Sequence, residues 1–99
     1  MILVAGTVKY QPGAIEKLKS DMQKVVAATR KEDGCINYDF AVDISDPTTL
    51  IIFERWRDQK ALEAHLQSTH VAAWRKAGAA AGAVERNLSV WTVDEGRKL

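Results

Sequence analysis

The stretch "CINYDFAVDISDPTTLIIFERW", residues 35–56, decides the fold because it reads as a β-hairpin. Its first half alternates apolar and polar side chains, which is typical of a strand with one buried face. Turn-forming residues follow in "SDPTT". The second half is apolar at both parities from Leu50 to Phe53 and therefore predicts a strand covered on both faces. In the alternating strand, the apolar side chains expected to share one face are Ile36, Tyr38, Phe40, Val42 and Ile44.

A strand and an amphipathic helix are predicted before the hairpin. Residues 2–10, "ILVAGTVKY", are rich in β-formers and begin with apolar side chains at both parities, so this strand should also lie centrally in a sheet. From Ala14 onward, apolar residues recur at steps of three and four, which is the spacing of an amphipathic helix. We expect this helix to end near "KEDG", with Gly34 as its C-terminal cap.

Helical segments and a final strand are predicted after the hairpin. Asp58 is the expected N-cap of the first of these helices, and Ser68 or Thr69 the expected cap of a second, short one. Residues 84–94, "VERNLSVWTVD", predict the last strand.

This order of elements predicts an α+β fold. Strand, helix, strand, strand, helix, strand is the βαββαβ order of the ferredoxin-like split βαβ arrangement. It implies one domain over residues 1–99, with a four-stranded antiparallel sheet whose helices cover one face only. Since strands one and three are apolar at both parities, the other face also needs cover. A second copy of the chain is the expected source, and we therefore predict a homodimer.

Composition argues against several functional classes. The 14 basic and 13 acidic side chains nearly balance, which speaks against the basic patch that nucleic acids require. Cys35 is the only cysteine, so neither an internal disulfide nor a thiolate cluster for zinc is expected, and the cytoplasm is the expected location. The apolar start "MILVAGTVKY" lacks a basic leader and is too short to span a membrane, so we interpret it as a strand.

Two histidines make a metal site the first chemical hypothesis to weigh. On a continuous helix, His65 and His70 would lie roughly 140° apart, which is poor for sharing one ion. Their spacing also differs from the i, i+4 pair of zinc peptidase helices. Glu54 could complete such a site from the sheet, but nothing in the spacing requires it. A metal site is therefore disfavoured, and no metal or other cofactor is predicted.

An acid/base role is better supported for His65. It shares a helical face with Leu62, so the imidazole should lie between helix and sheet, where burial lowers its pKa and leaves it neutral near pH 7. Such a group can take a proton from a phenol or an enol. The structural alternative is a core histidine bonded to the backbone, and the residues alone leave both open.

Glu54 and Trp56 share a parity near the end of the third strand, so a carboxylate and an indole are expected on one sheet face. Trp56 could stack on a flat ligand or simply belong to the core. Glu54 could orient an imidazole or form an ion pair with one of three arginines, Arg55, Arg57 or Arg86. His70, at the start of a helix, is open to a capping or an interface role.

The run "FERWRDQKALEAHLQSTH", with "EDGCINYDFAVDISDP" before it and "PG" after the first strand, resembles the antibiotic biosynthesis monooxygenase family. The resemblance covers essentially the whole chain, and its most specific part is an ordered set of side chains: Glu54, Trp56, Asp58, Ala61, Leu62, His65 and His70. It implies a dimeric α+β barrel, in which the sheets of two subunits pack face to face, and a pocket between sheet and helices. Characterised members include oxygenases that convert quinols or aromatic polyketides to quinones without flavin, haem or metal.

From this resemblance we expect a cofactor-independent monooxygenase that oxidises a small electron-rich aromatic with O₂. The catalytic residues that it implies are His65, as base or hydrogen-bond donor, with Glu54 and Trp56. The substrate-binding side chains would come from the set Tyr38, Asn37, Leu62, His70 and Trp74. Tyr38 and Asn37 face opposite sides of one strand, so only one of the two can line a given pocket.

Two other functions stay open at this point. One is an isomerase or lyase of a small carbonyl or signalling compound, in which His65 would shuttle a proton. The other is a non-catalytic, ligand-binding stress-response dimer, in which the pocket only binds.

Overall fold

The computed structural model describes all 99 residues and confirms the predicted α+β order, with the second helical region divided into two helices. The elements are β1 (Ile2–Tyr10), α1 (Ala14–Thr29), β2 (Cys35–Asp43), β3 (Asp46–Trp56), α2 (Gln59–Leu66), α3 (Thr69–Ala80) and β4 (Ala83–Thr92). The four strands form one antiparallel sheet in the order β2-β3-β1-β4. This is the ferredoxin-like arrangement that the hairpin predicted. None of the helices is long and apolar enough to cross a bilayer.

The helices pack on one face of the sheet because alternate residues of β1 and β3 present an apolar surface there. On β3, Leu50, Ile52 and Trp56 are buried, and Trp56 is 0% exposed. From α1, Leu18 and Val25 pack into the same two clusters of core side chains. Each such side chain stabilises the fold by roughly 1.5–3 kcal/mol. At the Trp56 end of this core, Leu62 of α2 and Val71 of α3 join the same cluster of buried side chains.

The opposite face of the sheet has no cover within the chain. Ile51 and Phe53 of β3 and Trp91 of β4 lie on this face, and they are 39%, 38% and 48% exposed. The edge strand β4 is exposed along almost its whole length. An exposed apolar face beside an open sheet edge favours association with another chain.

The hairpin turn is tighter than its sequence predicted. Only Ile44 and Ser45 form the turn, and the residues "DPTT" belong to β3 instead of the loop. Pro47 is tolerated there because the pairing of β2 with β3 becomes irregular between Val42 and Asp43, next to the turn. The expectation that Ile44 shares the buried face is wrong, since its side chain is fully exposed in the turn.

A second irregularity lies at the start of β2. Cys35 pairs with Trp56 and Asn37 with Arg55, so Ile36 is an extra residue in the ladder. This bulge breaks the alternation, and Ile36 is 46% exposed whereas Tyr38 is 3% exposed, so the prediction that both lie on the buried face is wrong. From Asn37 onward the register is regular, and Tyr38 lies opposite Glu54 on the helix side of the sheet.

The first helix also ends earlier than predicted. It stops at Thr29 with Arg30 as its C-terminal cap, so the assignment of Gly34 as the cap is wrong. Gly34 instead takes a φ of 84° in the connection to β2. A side-chain carbon on Gly34 would come within 2.5 Å of Ala61 Cβ, so glycine lets this connection lie directly against α2. The connection thereby brings Glu32 into the helix layer.

A side chain at Gly6 would overlap the backbone of β4, and we expect its substitution to destabilise the fold. Its φ is 147°, and a Cβ there would lie 2.0 Å from the carbonyl oxygen of Asn87. Gly6→Ala should therefore lower the free energy of unfolding by about 2–3 kcal/mol, measured by urea denaturation. Gly13→Ala is the control, since Gly13 has a φ of 83° but nothing within 4 Å of the added carbon. If both variants lose the same free energy of unfolding, the overlap between the added carbon and the Asn87 carbonyl oxygen has no effect on stability.

Candidate active site

His65 occupies a buried position between α2 and the sheet. α2 begins at the predicted cap, where the Asp58 side chain accepts a hydrogen bond from the Ala61 backbone N–H at 2.9 Å. About two turns after this cap, His65 faces the core and is 3% exposed. Its ring centroid lies 4.6 Å from that of Trp56 and 5.2 Å from that of Tyr38. These contacts fix the plane of the imidazole.

Glu32 is the hydrogen-bond partner of this imidazole. Its Oε2 lies 2.8 Å from His65 Nδ1. An ionised carboxylate can only accept a hydrogen bond, so this contact places the ring proton on Nδ1 and leaves the lone pair of Nε2 free. No group of the chain hydrogen bonds to His65 Nε2. The pair therefore has the geometry of a base held and oriented by an acid.

Burial lowers the pKa of His65 below its ordinary value of 6.5, and the Glu32 carboxylate opposes this shift only in part. His70 and Arg75 lower the pKa further through their charges. Since the neutral ring is favoured in the folded state, His65 is neutral at pH 7 and able to accept a proton.

His70 meets the same carboxylate from a different helix. Its Nε2 lies 2.8 Å from Glu32 Oε1, but the ring N–H is not aligned for a hydrogen bond to that oxygen. The spacing argument against a shared metal site assumed one continuous helix, and this assumption is wrong. The helix is interrupted at Ser68, whose side chain caps α3 by accepting a hydrogen bond from the Val71 backbone N–H. The two histidines thereby converge on one carboxylate although they belong to different helices.

The converging donors could hold a divalent cation. The ligand atoms of Glu32, His65 and His70 all lie within 4.8 Å of one another. Two imidazoles and a carboxylate are a donor set that several transition metals accept. The same three groups can equally share protons, because the carboxylate lies between the two rings.

Glu54 has a different partner from those predicted. Its Oε1 accepts a hydrogen bond from Trp56 Nε1 at 2.9 Å, and it pairs with neither an imidazole nor an arginine. The nearby arginines are engaged elsewhere: Arg55 donates to Asn37, and Arg57 donates to Asp33. Glu54 is 8% exposed, and burial raises the pKa of its carboxyl. The Trp56 hydrogen bond compensates for this burial in part.

The raised pKa of Glu54 gives a prediction about stability. The folded protein binds this proton more tightly than the unfolded chain, so this group makes the protein less stable as the pH rises from 4.5 through the folded pKa. Glu54→Gln keeps an acceptor for Trp56 but cannot ionise. The unfolding free energy of the variant relative to wild type should therefore increase with pH across this window in urea titrations. Glu63→Gln, at an exposed position of α2, is the control and should show no such trend.

A cavity of about 330 Å³ opens beside the imidazole. Its lining combines the His65–Glu32 pair, small apolar side chains of α2 and charged groups at the mouth: Glu32, Asp33, Arg57, Lys60, Ala61, Ala64 and His65. The small side chains leave room for a flat ring. Arg57 pairs with Asp33 and Asp58, so Lys60 is the cation of this lining that has no acidic side chain within salt-bridge distance.

The structure brings some of the predicted site residues together and separates others. Trp56, Tyr38 and Leu62 are buried around the imidazole and do not line this cavity, so they support His65 from behind. Asn37 lies on the opposite face of the sheet, bonded to Arg55. Trp74 is half-buried against Phe40, with ring centroids 5.4 Å apart, and lines a second cavity. That any of these five side chains contacts a substrate stays a prediction.

Sequence reasoning missed Glu32. The stretch "KEDG" was assigned to the end of a helix, and a glutamate there reads as a solvated side chain. The available signal was Gly34, two residues after Glu32. A glycine there allows a tight connection beside α2, and such a connection places Glu32 close to His65.

Known proteins with similar sequences and structures support one family. The sequence model of the family described as "Antibiotic biosynthesis monooxygenase" matches residues 1–77. An uncharacterized Synechocystis protein, sll1783, is 35% identical over 69 residues, which is 70% of this chain. This chain spans only 47% of the length of that cyanobacterial protein. The Escherichia coli protein described as "Probable quinol monooxygenase YgiN" is 29% identical over 87 residues, covering 78% of this chain and 84% of its own.

A solved structure from Deinococcus radiodurans supports the fold. It has a TM-score of 0.91 at 24% identity, and the superposition covers 100% of this chain and 98% of the other.

Proposed function

The chain belongs to the antibiotic biosynthesis monooxygenase family, and on that premise we propose that it is a cofactor-independent monooxygenase that oxidises a small electron-rich aromatic, such as a quinol or a naphthol, with O₂. The observation that carries this proposal is the buried, neutral imidazole of His65, which Glu32 orients at 2.8 Å and whose Nε2 has no partner in the chain. A relative described as a quinol monooxygenase supports the substrate class.

The proposed reaction begins with proton transfer from the aromatic hydroxyl to His65 Nε2. Glu32 stabilises the imidazolium that forms, since its carboxylate faces Nδ1–H. The resulting phenolate is electron-rich enough to give an electron to O₂, and the radical pair can combine as a peroxide on a ring carbon. His65 returns its proton to the peroxide, which loses water and leaves a quinone.

Atoms and electrons balance in this scheme without a cofactor. For a naphthol, one oxygen atom enters the ring as the new carbonyl, and the other leaves as water with two hydrogens of the substrate. The substrate supplies all four electrons that reduce O₂. The protein has three tasks: it removes and returns one proton, holds the ring in place, and limits access of water.

The charges at the cavity mouth suit the anionic species in this sequence. Lys60 and Arg57 both line the cavity. Arg57 is shared with Asp33 and Asp58, whereas no acidic group lies within salt-bridge distance of Lys60. We assign to Lys60 the stabilisation of the phenolate and of the peroxide anion.

The proposal includes a homodimer formed through the open face of the sheet. The support is the exposed apolar surface of Ile51, Phe53 and Trp91 together with the exposed edge strand β4. A second copy that packs sheet to sheet covers this surface in both subunits at once, as an isologous interface requires. The helices and the His65 cavity lie on the other side of the sheet and stay accessible.

A second candidate function is an isomerase of a small carbonyl compound. The observation that favours it is the position of Glu32 between His65 and His70, with 2.8 Å to a nitrogen of each ring. A carboxylate between two imidazoles can relay a proton from one ring to the other and so between two positions of a substrate, as isomerisation needs, whereas the oxygenation proposed above uses His65 alone.

Oxygen uptake separates the two functions. The protein, treated with a chelator and freed of flavin, is mixed with a panel of naphthols and quinols in an oxygen electrode. A monooxygenase consumes O₂ in proportion to protein concentration and above the spontaneous rate. Deuterium exchange into a carbonyl substrate without any oxygen uptake would support the isomerase and overturn the proposal.

A further inference from the structure

Two imidazoles and one carboxylate converge from three separate parts of the chain. His65 lies in the last turn of α2, His70 in the first turn of α3, and Glu32 in the connection before β2. One ligand atom from each of the three residues lies within 4.8 Å of the other two. Two ligands of one zinc ion lie roughly 3–3.5 Å apart, because each is roughly 2.0–2.2 Å from the ion. Small side-chain rotations would therefore close this set around one cation.

The ring of His70 has a nitrogen without a hydrogen-bond partner. The side chain is 25% exposed, but its Nε2 is shielded from solvent and makes no hydrogen bond, although Glu32 Oε1 lies 2.8 Å away. A shielded polar atom left in this way costs free energy. A metal ion takes the lone pair of the nitrogen and needs no N–H aimed at the oxygen, so a cation bound by ring and carboxylate would satisfy both.

The donors suit a transition metal better than a hard cation. With both rings neutral the set carries one negative charge, which favours a divalent cation. Imidazole nitrogens are common ligands of Zn²⁺ and its neighbours in the first transition series, whereas Mg²⁺ and Ca²⁺ prefer oxygen ligands. The ring of His65 is already held by its contacts with Trp56 and Tyr38, so little freedom is lost when it binds an ion.

We propose that Glu32, His65 and His70 bind one divalent transition-metal ion, through Nδ1 of His65, Nε2 of His70 and a carboxylate oxygen of Glu32. Three protein ligands leave a coordination position open for water. Glu32 and His65 also line the cavity beside α2, which gives solvent access to this position.

A bound ion would inhibit the oxygenation proposed above, and this consequence rests on that proposed function. When an ion occupies Nδ1, the single proton of the neutral ring lies on Nε2, the nitrogen that the proposed reaction uses as base. The ring then has no free lone pair for a proton of the substrate. The metal-free protein is therefore the active form, and a chelator should restore the activity of metal-loaded protein.

Isothermal titration calorimetry of the untagged, metal-free protein with ZnCl₂ at pH 7 tests the site. We expect one ion per chain and no binding of Mg²⁺ at the same concentrations. Glu32→Gln and His70→Gln should each weaken the binding of Zn²⁺ by at least about 100-fold, because loss of even an outer partner of a metal ligand costs roughly 10–100-fold. Thermal unfolding checks that both variants fold.

Asp33→Asn and Cys35→Ser are the matched controls. Asp33 follows Glu32 and lines the same cavity, but both of its oxygens accept hydrogen bonds from Arg57. Cys35 is the only cysteine in the chain and lies three residues from Glu32. Neither variant should weaken the binding of Zn²⁺ by more than about 3-fold. Unchanged binding in His70→Gln would overturn the proposal, as would an equal loss in either control.

Histidine ¹⁵N NMR spectra recorded with ZnCl₂ distinguish this site from binding by His70 alone. We expect the resonances of His65 Nδ1 and His70 Nε2 both to shift, and a shift confined to His70 would overturn the proposal. Neither calorimetry nor NMR needs a substrate, so the metal site is decided even if the protein oxidises no quinol.

Oxygen uptake tests the inhibition separately. In a protein that oxidises quinols, saturating Zn²⁺ should lower the rate by roughly 10²–10⁴-fold, the contribution of the base. The His70→Gln variant should keep its own rate at the same concentration of Zn²⁺. Full activity of wild-type protein that holds one ion per chain would overturn the inhibition.

Discussion

Replacing His65 with glutamine should reduce protein-dependent quinol oxidation by roughly 10²–10⁴-fold, the contribution that general acid/base catalysis typically makes. Glutamine approximates the size of the imidazole and can still bond to Glu32, but it cannot take a proton at neutral pH. The deprotonated, oxygen-reactive form of the substrate would then arise only as fast as it does in solution. Initial rates of oxygen uptake, corrected for spontaneous oxidation, measure this loss.

His70→Gln is the matched control for this substitution. His70 contacts the other oxygen of the same carboxylate, at 2.8 Å, but is not the proposed base. We expect the rate of quinol oxidation by the His70→Gln variant to fall by less than about 10-fold, because the loss of His70 changes only the position of Glu32. Thermal unfolding of both variants checks that they fold. If a folded His65→Gln protein retains the wild-type rate, His65 is not the base.

Replacing Phe53 with lysine should convert the proposed dimer to a monomer. Phe53 lies on the open face of the sheet and is 38% exposed in the single chain. Each dimer would lose two buried phenylalanines, worth roughly 1.5–3 kcal/mol apiece, and gain two buried charges. We therefore expect the dissociation constant to rise by about 10²–10⁴-fold, measured by sedimentation equilibrium across a concentration series.

Leu66→Lys is the control for the dimer. Leu66 is 39% exposed, close to the value for Phe53, but it belongs to α2 on the other side of the sheet. This variant should sediment as wild type does. A wild-type protein that is monomeric throughout the series would contradict the proposed assembly, as would dissociation of the Leu66 variant alone.

Most of the fold could be predicted because the sequence patterns that specify its strands and helices each lie within one short stretch of the chain. The alternation in residues 37–42, the helical spacing after Ala14 and the caps at Asp58 and Ser68 each depend on a few neighbouring side chains. The errors occur where one residue changes the geometry. The bulge at Ile36 changes which face the neighbouring side chains share, and an alternating sequence gives no sign of it.

The candidate site was harder to predict because its central contacts join distant parts of the chain. His65 was predicted to lie between helix and sheet, and its ring does lie 4.6 Å from the buried ring of Trp56. The partner of His65 is Glu32, which is 33 residues away and lies in a connection whose path depends on the φ of Gly34. Gly34 signals a tight connection in the sequence, but it does not say which part of the chain this connection packs against.

The central claim is that His65 is a neutral base at pH 7, with its proton on Nδ1 facing Glu32. A ¹⁵N NMR titration of the histidine side chains tests it most directly. The account predicts that the His65 ring is neutral at pH 7, carries its proton on Nδ1 and titrates below the ordinary value of 6.5. A ring that is charged at pH 7, or protonated on Nε2 in its neutral form, would contradict the account.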